Sequence, residues 1–201
     1  MTNWIDHPLE LEGKHIVLKP LAEEHFEELC TIGRDEKIWQ FMPVRGHEPE
    51  QLLKSLIEAI QKRDEGEQYP FVILEKRNGK VIGSTRFLRL NEEHKNLEIG
   101  YTWFRPAYWG SGYNEECKLL MLRYCFEKLK TIRVQIIAAE ANLRSRKAIE
   151  RIGGQFEGIL RNVIIRNGEK RSVAYYSILE EEWPKTELRL LELLTQRLGS
   201  Y

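Results

Sequence analysis

Hydrophobic residues recur with two different periods along this chain, and the change of period divides it into elements. From Ala22 to Ile32, and again from Pro49 to Glu65, apolar positions return every three or four residues, the spacing of one helix face. Phe26, Leu29 and Cys30 are expected to point inward from the first helix. Leu52, Leu53, Leu56, Ile57 and Ile60 are expected to do so from the second, whose opening proline suits a first helical turn. The period then falls to two. Tyr69 to Glu75 and Lys80 to Phe87 flank Arg77-Asn78-Gly79, and Asn-Gly between two β-rich runs is a strong hairpin signal. Leu97 to Phe104 alternates, with Leu97, Ile99, Tyr101 and Trp103 on one face and Glu98, Gly100 and Thr102 on the other. Upstream, His15 to Lys19 reads as a short first strand that stops at Pro20.

After the alternating strand comes a turn, Arg105-Pro106-Ala107-Tyr108-Trp109-Gly110-Ser111-Gly112-Tyr113-Asn114, and then a helical run from about Ser111 to Lys130. Arg133 to Ala139 is almost wholly apolar, as a central strand covered on both faces should be. Asn142 to Ile152 predicts a short helix with Asn142 as N-cap and Gly153-Gly154 as its stop. Gln155 to Arg166 and Lys170 to Leu179 form a second hairpin around Asn167-Gly168, and Pro184 opens a leucine-rich helix through Leu198. The resulting order is strand, two helices, three strands, helix, strand, helix, two strands, helix. This is one α/β domain over residues 1–201, a mixed sheet flanked by helices, with its core at about 11–183 and a final helix at about 184–198. The helix between the Leu97 and Arg133 strands is a crossover that makes those two strands parallel.

Composition narrows the function classes. The 201 residues are 42% hydrophobic and 31% charged, and Lys plus Arg equals Asp plus Glu at 31 each. A balanced charge argues against general nucleic-acid binding, which runs on phosphate neutralisation. No apolar run has the roughly 18 residues of a membrane helix, and Met1 to Leu11 has no apolar signal region. Three cysteines, Cys30, Cys117 and Cys125, lack metal-type spacing, and a reduced, cytoplasmic setting is the simplest reading. The five histidines have no ligand spacing, so no metal is expected. The stripe Leu188, Leu191, Leu194, Leu198 either packs on its own domain or offers a partner surface, a homodimer included.

The turn carries the chemistry. Gly110 and Gly112 allow backbone angles and close approaches that other residues do not, and the free N–H groups of the new helix face an anion held there. The order of elements, the turn Tyr108-Trp109-Gly110-Ser111-Gly112-Tyr113 and the later Asn142-Leu143-Arg144-Ser145 resemble the GNAT acyltransferases, in particular the branch with the RimJ and RimL ribosomal-protein N-acetyltransferases. The resemblance spans roughly Leu11 to Trp183.

That resemblance implies acetyl-CoA as co-substrate, lying in a cleft where the Leu97–Phe104 and Arg133–Ala139 strands splay apart. It implies cofactor contacts from Trp103, Phe104, Trp109, Gly110, Ser111, Gly112, Tyr113, Asn114, Asn142 and Ser145, with the pyrophosphate on N–H groups of Gly110 to Asn114. Arg146, Lys147 and Lys118 are candidates for the basic group that meets the nucleotide phosphates, or are solvated surface charges. The acceptor is an amine, either a protein N-terminus or a small molecule, and it must be neutral to attack a thioester. Glu98, on the polar face of its strand, is the candidate base or else a structural carboxylate. A backbone N–H near Trp103-Phe104 is the implied oxyanion donor. Many relatives protonate the leaving thiolate with a tyrosine seven residues after the asparagine, where this chain has Ile149. In the RimL-like pattern a serine three after the asparagine takes that role, and Ser145 matches it unless it only bonds backbone in its helix's first turn. Trp39, Phe41 and Met42 fall where relatives line the acceptor pocket, or serve as core or lid. A non-catalytic acyl-CoA-binding or regulatory module on the same fold is the alternative to an enzyme.

Overall fold

A computed structural model describes residues 4–166, 168–199 and 201. Its strands are β1 (Leu11–Glu12), β2 (Ile16–Pro20), β3 (Gln68–Glu75), β4 (Val81–Asn91), β5 (Asn96–Phe104), β6 (Arg133–Ala139), β7 (Gln155–Arg166) and β8 (Glu169–Leu179). They form one mixed sheet in the order β1-β2-β3-β4-β5-β6-β8-β7. The helices are α1 (Phe26–Ile32), α2 (Glu36–Trp39), α3 (Pro49–Asp64), α4 (Tyr113–Arg123), α5 (Leu143–Arg151) and α6 (Trp183–Leu198). Of these elements, β1 and α2 are too short to have left a periodic signal. The Asn167 half of the second hairpin turn lies outside the described residues.

Two hydrophobic clusters pack on opposite faces of the sheet. The larger joins Leu97, Ile99 and Phe104 of β5 to Cys117, Leu119 and Met121 of α4 and to Leu190 and Leu194 of α6. The smaller gathers Leu29, Ile38, Trp39, Leu52 and Leu56 of α1–α3 against Val72, Val81 and Trp103. Only one stripe of α3 is covered, namely Leu52, Ser55, Leu56 and Ala59. Leu53 and Ile57, expected inside, are 38% and 42% exposed because they lie beside that stripe rather than on it. The α6 stripe is likewise rotated: Leu190 and Leu194 are buried and Leu188 is exposed. The long helix after the turn is α4 plus a wider turn over Tyr124–Lys128. Cys117 and Cys125 are buried core residues within that segment.

The alternation expected for β5 breaks at Tyr101. Ser84 faces Trp103 and Arg86 faces Gly100, so Tyr101 and Thr102 oppose the single residue Thr85. Tyr101 takes φ 49 to accommodate the extra residue. Side chains have a period of two in a strand, so one inserted residue moves everything beyond it to the other face. Trp103 therefore leaves the Leu97–Ile99 face and packs on Trp39, with ring centroids 5.1 Å apart.

Candidate active site

The parallel strands β5 and β6 pair only at Asn96–Arg133, Leu97–Val134 and Glu98–Gln135. Beyond that point each keeps its outer neighbour. β4 stays with β5 as far as Gly83–Phe104, and β8 stays with β6 as far as Ala139–Val173. The inner edges part and enclose a cleft of about 530 Å³ whose walls include Glu98, Thr102, Asn114, Lys118, Asn142 and Ser145. A strand edge without a partner presents N–H and C=O groups in a row. The cleft walls thus match an extended, amide-bearing ligand.

At one end of the cleft, the turn Pro106–Tyr108 leads into α4. Gly110 and Gly112 sit at φ 76 and φ 100, and Gly112 is the N-cap of α4. The first N–H groups of a helix have no intrahelical acceptor, and with the helix dipole they make an anion site. A Cβ at Gly110 would meet nothing within 4 Å, whereas one at Gly112 would lie 3.0 Å from Leu198 Cγ. An adjoining cavity of about 320 Å³ is bordered by Gly110, Arg144, Arg151 and Arg197.

The other turn residues have distinct partners. Ser111 Oγ donates to Tyr108 O at 2.7 Å, and the Tyr113 phenol donates to Glu75 Oε1 at 2.9 Å. Tyr113 stacks on Tyr108, so its side chain is held toward β3, and its backbone N–H donates to Ser111 Oγ at 3.3 Å. Trp109 Nε1 donates to Phe104 O at 3.0 Å, and Arg144 lies over the Trp109 ring at 3.8 Å. Phe104 and Trp103 are core side chains, one in each cluster.

Glu98 is 4% exposed. It accepts from Gln135 Nε2 at 2.9 Å, and Arg89 Nε lies 3.2 Å away. Burial raises its pKa above the ordinary carboxylate value, against the pull of Gln135 and Arg89. Across the cleft, Asn142 Oδ1 accepts from Ser145 N at 3.1 Å, so the expected cap forms. Ser145 lines both cavities, and its hydroxyl makes no hydrogen bond among the described residues. Ile149 is buried in the larger core cluster.

The basic groups divide differently from expectation. Arg146 donates to Tyr176 Oη at 2.9 Å and lies over Phe156, and Lys147 is exposed. Lys118 is not at the turn but in the cleft wall, 5% exposed, donating to Thr102 Oγ1 at 2.7 Å. No carboxylate pairs with it among the described residues, and burial lowers its pKa. The cations that border the turn are Arg144, Arg151 and Arg197. Arg197 Nη1 donates to Gly110 O at 2.8 Å, from a position 87 residues away. Only Arg144 carried a sequence signal, as part of the Asn142–Ser145 motif.

The chain matches the family described as Acetyltransferase (GNAT) domain over residues 15–155. It belongs to the GNAT acetyltransferase family. As a GNAT protein it is an acyltransferase, and it has curated relatives in the bacilli. One, "Putative ribosomal N-acetyltransferase YdaF" of Bacillus subtilis (strain 168), is 35% identical over 106 residues, 53% of this chain and 57% of that one. A solved GCN5-related N-acetyltransferase from Brucella melitensis is 25% identical, with a TM-score of 0.84 over 93% of this chain and 86% of that one. The fold is shared as well by Mycobacterium smegmatis RimJ, solved in complex with CoA-disulfide, at 20% identity and a TM-score of 0.78 over 94% and 93% of the two chains. The ribosomal relative accords with the RimJ/RimL-like pattern of the turn and of Asn142–Ser145.

Proposed function

We propose that this GNAT protein moves an acetyl group from acetyl-CoA to a primary amine, a protein N-terminus or a small amine, by direct attack in a ternary complex. The observation that carries this reading is the placement of Glu98 and Ser145 on the two walls of one cleft, with the N-terminus of α4 at its end. The N–H groups from Gly110 to Asn114 would hold the pyrophosphate, and the parted edges of β5 and β6 would bond the pantetheine arm. Glu98 would take a proton from the acceptor ammonium, directly or through one water. A protein α-amine, with an ordinary pKa of about 8, asks less of that base than a lysine at about 10.4. The neutral nitrogen then attacks the thioester carbon while a backbone N–H near Trp103-Phe104 donates to the carbonyl oxygen. As the C–S bond breaks, Ser145 would give its proton to sulfur and recover one from the nitrogen or solvent.

The ribosomal assignment of one relative and the RimJ likeness favour a protein N-terminus among the acceptors. Mass detection of acetylated product from a panel of peptides and small amines, with acetyl-CoA as donor, tests the reading. The second reading, a non-catalytic acyl-CoA-binding module, rests on Ile149 in place of the tyrosine acid. It predicts acetyl-CoA binding without release of CoA thiol in the presence of any amine.

A further inference from the structure

A second cavity, of about 550 Å³, opens between α3 and the β3–β4 pair. Its cations are Arg45, Lys54, Lys62 and Arg86, and its one carboxylate is Glu58. Lys62 is 3.2 Å from Glu67 and Arg45 is 3.5 Å from Glu48, so part of this charge is already balanced. Lys54 and Arg86 have no ion pair among the described residues. Arg86 is 6% exposed. Its Nη2 donates to Ser55 Oγ at 3.0 Å and to Ser55 O at 3.2 Å, its Nη1 to Gln68 Oε1 at 3.4 Å, and its guanidinium lies 4.6 Å from the Tyr101 ring centroid. Every hydrogen-bond partner is neutral, and its Nε has no acceptor. Burial lowers its pKa to about 10, against the opposing pull of Tyr101 and of Glu58, the cavity's own carboxylate, which forms no ion pair with it. A buried guanidinium costs free energy unless an anion meets it, and a planar carboxylate fits its fork of donors best.

The cavity adjoins the active-site cleft, and Pro43 and Tyr101 line both. Tyr101 is the bulge residue, with φ 49, and its ring lies against Arg86. We infer that the Arg86–Lys54 cavity is a carboxylate subsite, and that the preferred acceptor is an amine that also carries a carboxylate at its far end. This rests on the acetyltransferase reading and deepens it by naming the acceptor's second group. Tyr101 would separate the two ends, with the amine at Glu98 and the carboxylate beyond the ring.

The test compares ω-amino acids of four to six carbons with their primary carboxamides, in acetyl-CoA turnover and in calorimetric binding to the full chain with CoA present. Wild type should favour each acid at least tenfold over its amide. Lys54→Gln, at an exposed position, should cut that preference about threefold. Arg86→Gln should abolish it, with CoA affinity unchanged as proof that the fold is intact. Equal treatment of acid and amide by wild type overturns the subsite, as does a preference that both variants retain. If no pair is turned over, binding of the same pairs decides the subsite by the same criteria. The acetyltransferase reading then fails separately, on its own turnover test.

Discussion

Arg166, at the end of β7, reaches across the cleft and donates Nη2 to the carbonyl of Trp39 at 2.6 Å. Its Nη1 donates to the next carbonyl, Gln40 O, at 2.8 Å. These are carbonyls at the C-terminal end of α2, where a helix has acceptors to spare and a partial negative charge. Phe41, Met42 and Arg166 line the cleft from this side, so the two hydrogen bonds tie its roof to the β7–β8 hairpin. Arg166→Ala should release that tie. The expected result is a five- to tenfold rise in acceptor KM with CoA affinity unchanged, read by steady-state kinetics and by calorimetry. A proportional loss of CoA affinity would mean that the tie supports the whole cleft instead.

Glu98→Gln keeps the shape and the Gln135 contact but removes the proposed base. A fall in kcat of about 10²- to 10⁴-fold is expected for the loss of a positioned base. The pH profile gives a sharper readout. Because burial raises the Glu98 pKa, its basic form appears only above the ordinary carboxylate range. In wild type the acid limb of kcat should therefore fall at a pH above that range, and this limb should vanish in Glu98→Gln. The stability sign is opposite: the raised pKa favours the protonated folded state, so Glu98's contribution weakens as pH rises through that pKa.

Gly110 and Gly112 should separate charge from geometry. Aspartate tolerates a left-handed backbone better than most residues, and a Cβ at Gly110 meets nothing. Gly110→Asp should therefore fold and lose acetyl-CoA affinity at least tenfold, by placing an anion where the phosphate belongs. Gly112→Ala should instead lower stability by about 1–3 kcal/mol, because φ 100 is strained for alanine and its Cβ meets Leu198. Thermal unfolding with and without acetyl-CoA distinguishes the two effects.

Ser145→Ala leaves the Asn142 cap in place, since the cap uses the backbone N–H of Ser145. A tenfold to hundredfold lower kcat with unchanged CoA affinity is expected if the hydroxyl protonates the leaving thiolate. The loss should be smallest with a thioester whose thiol is more acidic.

Lys118→Met removes a buried ammonium that has only a hydroxyl for company. Desolvation makes the folded state favour the neutral amine, so the charged form costs stability most below the lowered pKa. The variant should melt at a higher temperature at neutral pH and bind acetyl-CoA less well, if the amine meets a carbonyl of the ligand. A lower melting temperature would make Lys118 a structural residue held by Thr102.

The sequence carried the strand and helix order well. Asn78-Gly79, the crossover from Gly112 to Arg133 and the Asn142 cap are local signals, and each appears where its residues predicted. The face of Trp103 did not follow from the pattern, because the alternation continues unbroken through a bulge that exists only in the pairing of β5 with β4. The arginines around Gly110 were illegible for another reason. Arg151 and Arg197 reach the turn from α5 and α6, and nothing near them in the chain marks that destination. Lys118 looked like a surface charge because a single lysine on a helix usually is one. Its burial follows from the cleft, which forms only once β5 and β6 part.

The contact of Arg197 with Gly110 O, and of Leu198 with the space beside Gly112, has a practical consequence for fragment design. The segment that matches the family ends at residue 155, some forty positions earlier. A fragment trimmed to that match would keep the glycine turn and lose the wall behind it. A fragment that keeps both contacts runs through Leu198.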